Sequence, residues 1–427
     1  MLSNGPVVNF PLQNENGCLV RVENRQNKPE NLPAARYASC AGQSRGRLVA
    51  QELCATRSNF ARDRDRIIHS TAFRRLNYKT QVFIYHEGDH FRSRLTHSLE
   101  VAQIARSLAH ILRLDEDLCE AISLAHDIGH TPFGHAGERA LSRAMDGFGG
   151  FDHNIQTLRV LTNLEKRYAN FDGLNLSWET LEGLIKHNGP LIDRHGEMIG
   201  KYAHAEMPEM TRWYELKFGF GLHQFAGPEG QVAAIADDIA YNNHDIDDGL
   251  RAGLFELGDL QQVPFVWDIV LEIRAEYAGI DDTRLVFELN RRLITLMIAD
   301  VRDETSKRLA MLAPQNSDAI RDADRMMVSF SELFTKDLAS LQSFLQERVY
   351  RHKRVMAIMD DAEKIVEDLV KHFMARPQDL PKEWSCKGVR VNINHCAEKI
   401  RDFIAGMTDR YAIDLHRSLF DVTPKLR

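Results

Sequence analysis

The chain has 427 residues, 44% of them hydrophobic and 27% charged, and carries a formal net charge of −7. Such a chain can bury a large core in one large domain or two ordinary ones, and its acidic balance excludes a surface coated for bulk nucleic-acid binding, so that any phosphate site must be local. No run approaches the ~20 apolar residues of a membrane span, and the first thirty residues lack the apolar stretch of a signal peptide, so no membrane contact and a cytoplasmic location are expected.

Residues 1 to about 45 carry Asn, Pro, Gly and Ser without a sustained period and read as a variable, mobile arm. The RDRDR run at 62–66 reads as a solvated face or an attractor of anions. Helical spacing then begins at 94–112, where Leu95, Leu99, Ala102, Leu108 and Ile111 form the apolar stripe and Ser93 or Thr96 the cap. A second helix is expected over 115–128, capped by Asp115, with Leu118, Ile122 and Ala125 inward. Gly129, Pro132 and Gly134 break it, which leaves His130 on a loop and starts a new helix near His135.

Further helices are expected at 154–168 and 177–187. The stretch from Gly189 to Gln224, rich in Gly, His, Met and aromatics, reads as a small hairpin or lid. From Pro228 the chain is almost continuously helical, over 229–250, 264–278, 282–301, 317–346 and 350–375, with a looser joint at 376–389. The fold class is therefore all-α. The six cysteines, at 18, 40, 54, 119, 386 and 396, show no CxxC pair and read as unpaired thiols.

The chemistry concentrates in three of these helices. His97, the His126-Asp127 dipeptide and the Asp237-Asp238 pair each lie in a helical segment of their own, a spacing that reads as a metal site. Two imidazoles and carboxylates form a mixed nitrogen and oxygen set that suits manganese, magnesium, iron, nickel, cobalt or zinc, and ligand type does not choose among them. His130, His135 and Glu138 add titratable groups within two helical turns of the dipeptide.

The upstream histidine, the His-Asp dipeptide followed by Gly129, and the acidic residue on a third helix together resemble the HD phosphohydrolase superfamily. RDRDRIIHSTAFRRLNYKTQVF (62–83), SRLTHSLEVAQIAR (93–106), HDIGHTPFGHAGE (126–138) and ADDIAYNNHDIDD (236–248) resemble more narrowly the bacterial dGTP triphosphohydrolase family, related to the animal dNTP hydrolase with SAM and HD domains. The resemblance spans roughly residues 45 to 420. It implies an HD-domain helical fold over 46–427, with the motif region at 62–250 and additional C-terminal helices at 251–427. It also implies hydrolysis of a deoxynucleoside triphosphate, dGTP among them, at the α-phosphorus to give the deoxynucleoside and intact triphosphate.

By the same resemblance, one divalent metal ion would be held by His97, His126, Asp127 and Asp237, with a further magnesium accompanying the triphosphate. Asp237 is preferred to Asp238 because the family ligand lies four residues before a tyrosine, here Tyr241, and 237, 241, 245 and 248 share a helix face. His135 and Glu138 match the family's catalytic histidine and acid, and His130 and His153 match two further active-site histidines. Arg94 matches an arginine on the phosphates, Gln81, Asp245 and Tyr350 match holders of the 3'-hydroxyl, Tyr241 packs on the sugar, and His187 matches another pocket position. Asp238 stands where the animal enzyme has a lysine, so the phosphate grip differs there. Lys353, in YRHK (350–353), resembles a contact to an activating nucleotide.

The expected partners are the dNTP, a nucleotide effector, single-stranded DNA and further copies of the chain in a tetramer or hexamer. The alternatives are another HD phosphohydrolase, such as a nucleotidase or guanosine polyphosphate hydrolase, and a nucleotide-sensing or single-stranded-DNA-binding protein without turnover.

Overall fold

The computed structural model describes residues 11–13, 19–21, 33–81, 92–203, 207–386, 392–424 and 426. Two units are distinct by internal contacts, 1–34 and 35–427. In the first, strands β1 (Pro11–Gln13) and β2 (Leu19–Arg21) pair antiparallel, with Leu12 opposite Val20. The second unit is helical.

Its helices in chain order are α1 (Asn59–Ile68), α2 (Thr71–Arg75), α3 (Arg94–Leu112), α4 (Glu116–Ala125), α5 (Gly134–Ala144), α6 (His153–Arg159), α7 (Trp178–Ile185) and α8 (Glu209–Phe218). They continue with α9 (Pro228–Arg251), α10 (Pro264–Glu276), α11 (Asp282–Leu312), α12 (Ser317–Arg321), α13 (Glu332–Leu345), α14 (Lys353–Ala375), α15 (Ile393–Ala405) and α16 (Asp409–Leu419). Wide π turns extend α6 over Val160–Leu164 and α13 over Gln346–Tyr350.

Local chemistry explains the starts. Ser93 accepts from the Thr96 amide and Asp115 from the Leu118 amide, so α3 and α4 begin on side-chain caps. Ser177 gives its hydroxyl instead to Asp63, which also accepts from the Ser177 amide at 2.8 Å and the Thr180 hydroxyl. Asp63 is thus fully buried and Arg66 nearly so, and the RDRDR run is in part an internal tie between α1 and α7 rather than a solvated face.

Three apolar clusters fill the unit. One joins α3, α9, α10, α11 and α13 through residues such as Val101, Ile239, Leu289 and Leu341; a second joins α1, α4, α6 and α7; a third joins α5, α14, α15 and α16. Each fully buried leucine contributes roughly 2 kcal/mol of burial free energy. Helix α3 faces both α4 and α9, which is how one helix carries His97 to a meeting point of three.

Several expected elements are corrected. On α3, Leu99 and Ile111 are 50% and 41% exposed, because the inner face is taken by Arg94, His97, Ser98, Val101 and Ile104, which mixes polar site residues with apolar ones. The helix expected over 317–346 is two, α12 and α13; within 189–224 a small antiparallel reversal at 191–199, bridged from Ile192 to Met198 with the Ile199 amide on Leu191 O at 3.0 Å, matches the expected hairpin and is followed by α8. Residues 35–45, expected in the arm, are bonded to the body: the Ala35 amide reaches Arg113 O at 2.9 Å and Ser39 gives both its amide and hydroxyl to buried Glu229. Cys386 and Cys396, expected to be free, form a disulfide with a Cα separation of 5.7 Å, a proximity set by the tertiary fold. Cys40, Cys54 and Cys119 are free. No described helix is long and apolar enough to cross a membrane.

Candidate metal centre and adjoining cleft

Helix α4 ends at Ala125, and the turn that follows lets two adjacent residues face one point. His126 caps the helix, and its Nδ1 donates to the Ser123 carbonyl at 2.6 Å. That bond leaves Nε2 as the free lone pair, and this buried atom has no hydrogen-bond partner. The turn packs against α6 so closely that a Cβ on Gly129 would stand 2.1 Å from the His153 carbonyl oxygen. Glycine is the side chain that fits.

His97 on α3 and Asp237 on α9 complete the group. His97 Nε2 lies 2.9 Å from Asp237 Oδ1 and 4.0 Å from Asp127 Oδ2, while His126 Nε2 lies 3.5 Å from Asp127 Oδ1 and 3.6 Å from Asp237 Oδ1. Asp238, one residue on, is exposed. His187, just past α7, stacks on His126 at 5.3 Å between ring centroids and approaches Asp237 Oδ2 to 3.3 Å, so it stands beside the His/Asp group rather than on the cleft wall.

The charges are balanced by neighbours. Burial alone would raise the Asp127 carboxyl, but Arg94, whose Nη1 donates to Oδ2 at 2.8 Å, together with His126 and His130 holds it well below the usual range. Asp237 is likewise held well below it against burial by His126, His187 and His97. Burial opposes a charged His126, yet the carboxylates of Asp127 and Asp237 outweigh it and the net direction is upward. The same negative potential that favours a proton on His126 favours a cation, and an unpartnered imine nitrogen among carboxylates fits a divalent metal's donor set. His97, His126 and Asp127 offer donor atoms mutually within 4.8 Å.

His244 belongs beside this group although sequence reasoning passed over it. Its Nδ1 lies 3.1 Å from His97 Nδ1, and its Nε2 pairs with Glu100. The available signal was position: 244 is seven residues after 237, two turns along the same face of α9.

A second polar group adjoins the first. Phe133 and Gly134 open α5 in left-handed conformations, φ 63° and 55°, and α5 carries His135 and Glu138. Glu138 accepts from the His153 amide at 3.1 Å, lies 2.8 Å from His153 Nδ1 and 3.4 Å from His135 Nδ1. Burial would raise its carboxyl, but the hydrogen bonds from His135 and His153 lower it strongly. His130 stacks on His153 at 4.0 Å and donates from Nε2 to Asp127 Oδ1 at 3.1 Å, so it links the two groups; burial pushes its pKa well down.

His135 opens onto a cleft of about 740 Å³ whose walls include Gln81, Phe133, Tyr241, Asp245 and Tyr350. Tyr350 donates to Asp245 and lies 2.5 Å from the Tyr241 hydroxyl, with the two rings near parallel. Burial raises the Asp245 carboxyl to about 8. Buried Gln81 Oε1 and Asp245 Oδ1 have no hydrogen-bond partner. The site residues expected from sequence thus lie in the two polar groups or on the cleft wall, except Arg94 and His187, which flank the His/Asp group, whereas Lys353 is exposed at the first turn of α14.

The HD domain model matches residues 94–215, and the phosphohydrolase-associated domain model matches residues 328–418. A deoxyguanosinetriphosphate triphosphohydrolase-like protein of Bradyrhizobium diazoefficiens is 53% identical over 92% of this chain and 98% of its own length. Proteins of the same description from Azorhizobium caulinodans and Brucella anthropi are 54% and 51% identical, over 90% and 92% of this chain and 96% of each relative. With relatives this similar along nearly their whole length, and with a His/Asp group carried by α3, the end of α4 and α9, the chain belongs to the deoxyguanosinetriphosphate triphosphohydrolase-like family of HD-domain phosphohydrolases.

Proposed function

We propose that the protein hydrolyses deoxynucleoside triphosphates, dGTP among them, at the α-phosphorus to release a deoxynucleoside and inorganic triphosphate. The observation that carries this reading is a His/Asp group fit for one cation, linked through His130 to His135 on a cleft whose wall includes the Tyr241–Tyr350–Asp245 network. His97, His126, Asp127 and Asp237 would hold the divalent ion, which supplies charge neutralisation at the phosphoryl oxygens and a Lewis acid.

The remaining roles fall to the chain's own side chains. Glu138, ionised and held by His153 and His135, orients the attacking water, and the Glu138–His153 pair takes up its proton. His135, open to the cleft, donates a proton to the leaving 5'-oxygen. His130, between the two groups, contacts a phosphate oxygen, and His153 holds the Glu138 charge in place. Arg94 braces Asp127 and offsets phosphate charge through the rest of its guanidinium. Gln81, Asp245 and Tyr350 bind the 3'-hydroxyl, Tyr241 packs on the sugar where a ribose 2'-hydroxyl would need space, and His187 bounds the pocket next to Asp237.

The test incubates the protein, loaded in turn with manganese, magnesium, iron, nickel, cobalt or zinc, with each dNTP singly and in mixtures, and separates products by chromatography. Deoxynucleoside and triphosphate in equal amounts are expected. Pyrophosphate or phosphate as product selects a different HD phosphohydrolase, and no product from protein with full metal content ends the proposal. Turnover confined to mixtures assigns a nucleotide effector.

A further inference from the structure

The loop that opens α5 is held from far along the chain. Asp409, the first residue of α16, is 1% exposed. Its Oδ1 accepts from the Phe133 amide at 2.9 Å, and its Oδ2 accepts from the Thr80 amide at 2.9 Å and from the Thr80 hydroxyl. Three donors from two distant segments converge on one carboxylate and use both of its oxygens.

Each of those donors stands next to a residue of the site. Phe133 is fully buried and left-handed at φ 63°, a conformation that costs a residue with a side chain about 1 kcal/mol or more and persists only where surroundings impose it. It has no side-chain cap of its own; two residues on is His135, and five on is Glu138. Thr80 precedes Gln81 and forms a bridge with Ser93, the cap of the helix that carries Arg94 and His97.

Lys79 makes a second tie in the same direction. Its buried Nζ, which burial holds well below the usual lysine range, donates to the His130 carbonyl oxygen and to the Ala405 carbonyl oxygen at 2.8 Å, joining the loop after the His-Asp dipeptide to the last residue of α15. The carbonyls of His130 and Ala405 would otherwise lack this donor, and a buried polar group left unpaired is costly.

We propose that Asp409, supported by Lys79, is a positioning residue that locks loop 130–134 and Gln81 in the arrangement turnover requires. Under it, the C-terminal helices α15 and α16 are part of the working site, although they contribute no side chain to the cleft. It rests on the phosphohydrolase reading above. A carboxylate suits the task because it accepts on both oxygens; an asparagine would turn an N–H against an amide or hydroxyl donor.

Asp409→Asn, Thr80→Val and Thr80→Ser are compared with the unaltered protein by steady-state kinetics, bound-metal content, melting temperature and hydrogen exchange read peptide by peptide. Asp409→Asn is expected to lower kcat about 100-fold, the scale of a misplaced reacting group, with KM changed less and metal content kept. Thr80→Val, which removes one of the three donors, loses less, and Thr80→Ser restores the loss because it keeps the hydroxyl. Exchange rises in peptides covering 128–138 and not in α10 or α11. Wild-type kcat in both Asp409→Asn and Thr80→Val overturns the proposal. So does a uniform rise in exchange with loss of metal, the mark of a merely structural residue. If the unaltered protein releases no triphosphate, the functional reading fails by itself, and the exchange pattern alone decides: a local rise at 128–138 keeps the positioning role and its absence ends it.

Discussion

Two histidine and carboxylate groups lie side by side in this molecule, built from the same residue types and left in opposite states by their neighbours. In the first, His97, His126 and Asp127 are all buried, and the Nε2 of His126 meets no donor or acceptor. In the second, Glu138 is already satisfied by the His153 amide and by the rings of His153 and His135, and the group opens to the cleft. An incomplete buried polar group asks for a ligand, whereas a completed, half-open one is ready to exchange a proton. That difference is what supports the proposal that the cation goes to the first group and proton transfer to the second, for the donor atoms of His130, His135 and Glu138 also lie within 4.8 Å of one another.

The strongest way to break that division is to remove a member of the first group. His126→Ala or Asp127→Ala is expected to abolish both bound metal and turnover, measured by elemental analysis and product chromatography. Chelation should lower the melting temperature of the unaltered protein, since a ligand bound only to the folded state stabilises it, and should leave that of His126→Ala unchanged. A metal-replete, active His126→Ala protein would refute the ligand assignment.

Removing the carboxylate of the second group should act on rate alone. Glu138→Ala is expected to keep its metal and to lose about 10²- to 10⁴-fold in kcat, the usual scale for a general base. Loss of metal in this variant would merge the two groups into one and end the comparison. A smaller effect is expected at the cleft wall: Tyr350→Phe removes the hydroxyl that bonds Asp245 and approaches Tyr241, and discrimination between dNTP and NTP in kcat/KM should fall about 10-fold.

How much of this was legible in the sequence follows from how local each cause is. Helix caps such as Ser93 and Asp115, the break at Gly129 and the start of α5 depend on a few adjacent residues and were readable. The grouping of His97, His126, Asp127 and Asp237 was readable through the resemblance of their motifs to the family, since helix positions alone do not show that three helices meet. The face of α3 was not, since its inward side carries Arg94 and His97 in place of leucines and an apolar period misreads it. The Asp63 tie and the hold of Asp409 on Phe133 and Thr80 join residues far apart in the chain, and the Cys386–Cys396 disulfide, across ten residues, follows no recognised spacing, so nothing in the sequence announces them. His244 lay inside a motif already singled out, and only its contact with His97 gives it a task.

The smallest expected effect sharpens a contrast between carboxylates on opposite sides of the site. Asp127, facing Arg94, is held ionised, while Asp245, buried against Tyr350 and without a cation bonded to it in the structure, is raised to about 8. Its folded value lies above the unfolded value of about 3.9. Between roughly pH 4 and 8 the folded chain therefore keeps a proton that the unfolded chain has released, and by linkage this group makes stability fall as pH rises through that window. Asp245→Asn removes the titration while keeping the size and an acceptor for the Tyr350 hydroxyl. Melting temperature measured from pH 6 to 9 should decline less steeply in the variant than in the unaltered protein, by on the order of a few degrees across the range. Parallel curves would mean that Asp245 is ionised in the folded protein at neutral pH. Its partner in the cleft would then be a charged carboxylate, and recognition of the 3'-hydroxyl would rest on an acceptor alone.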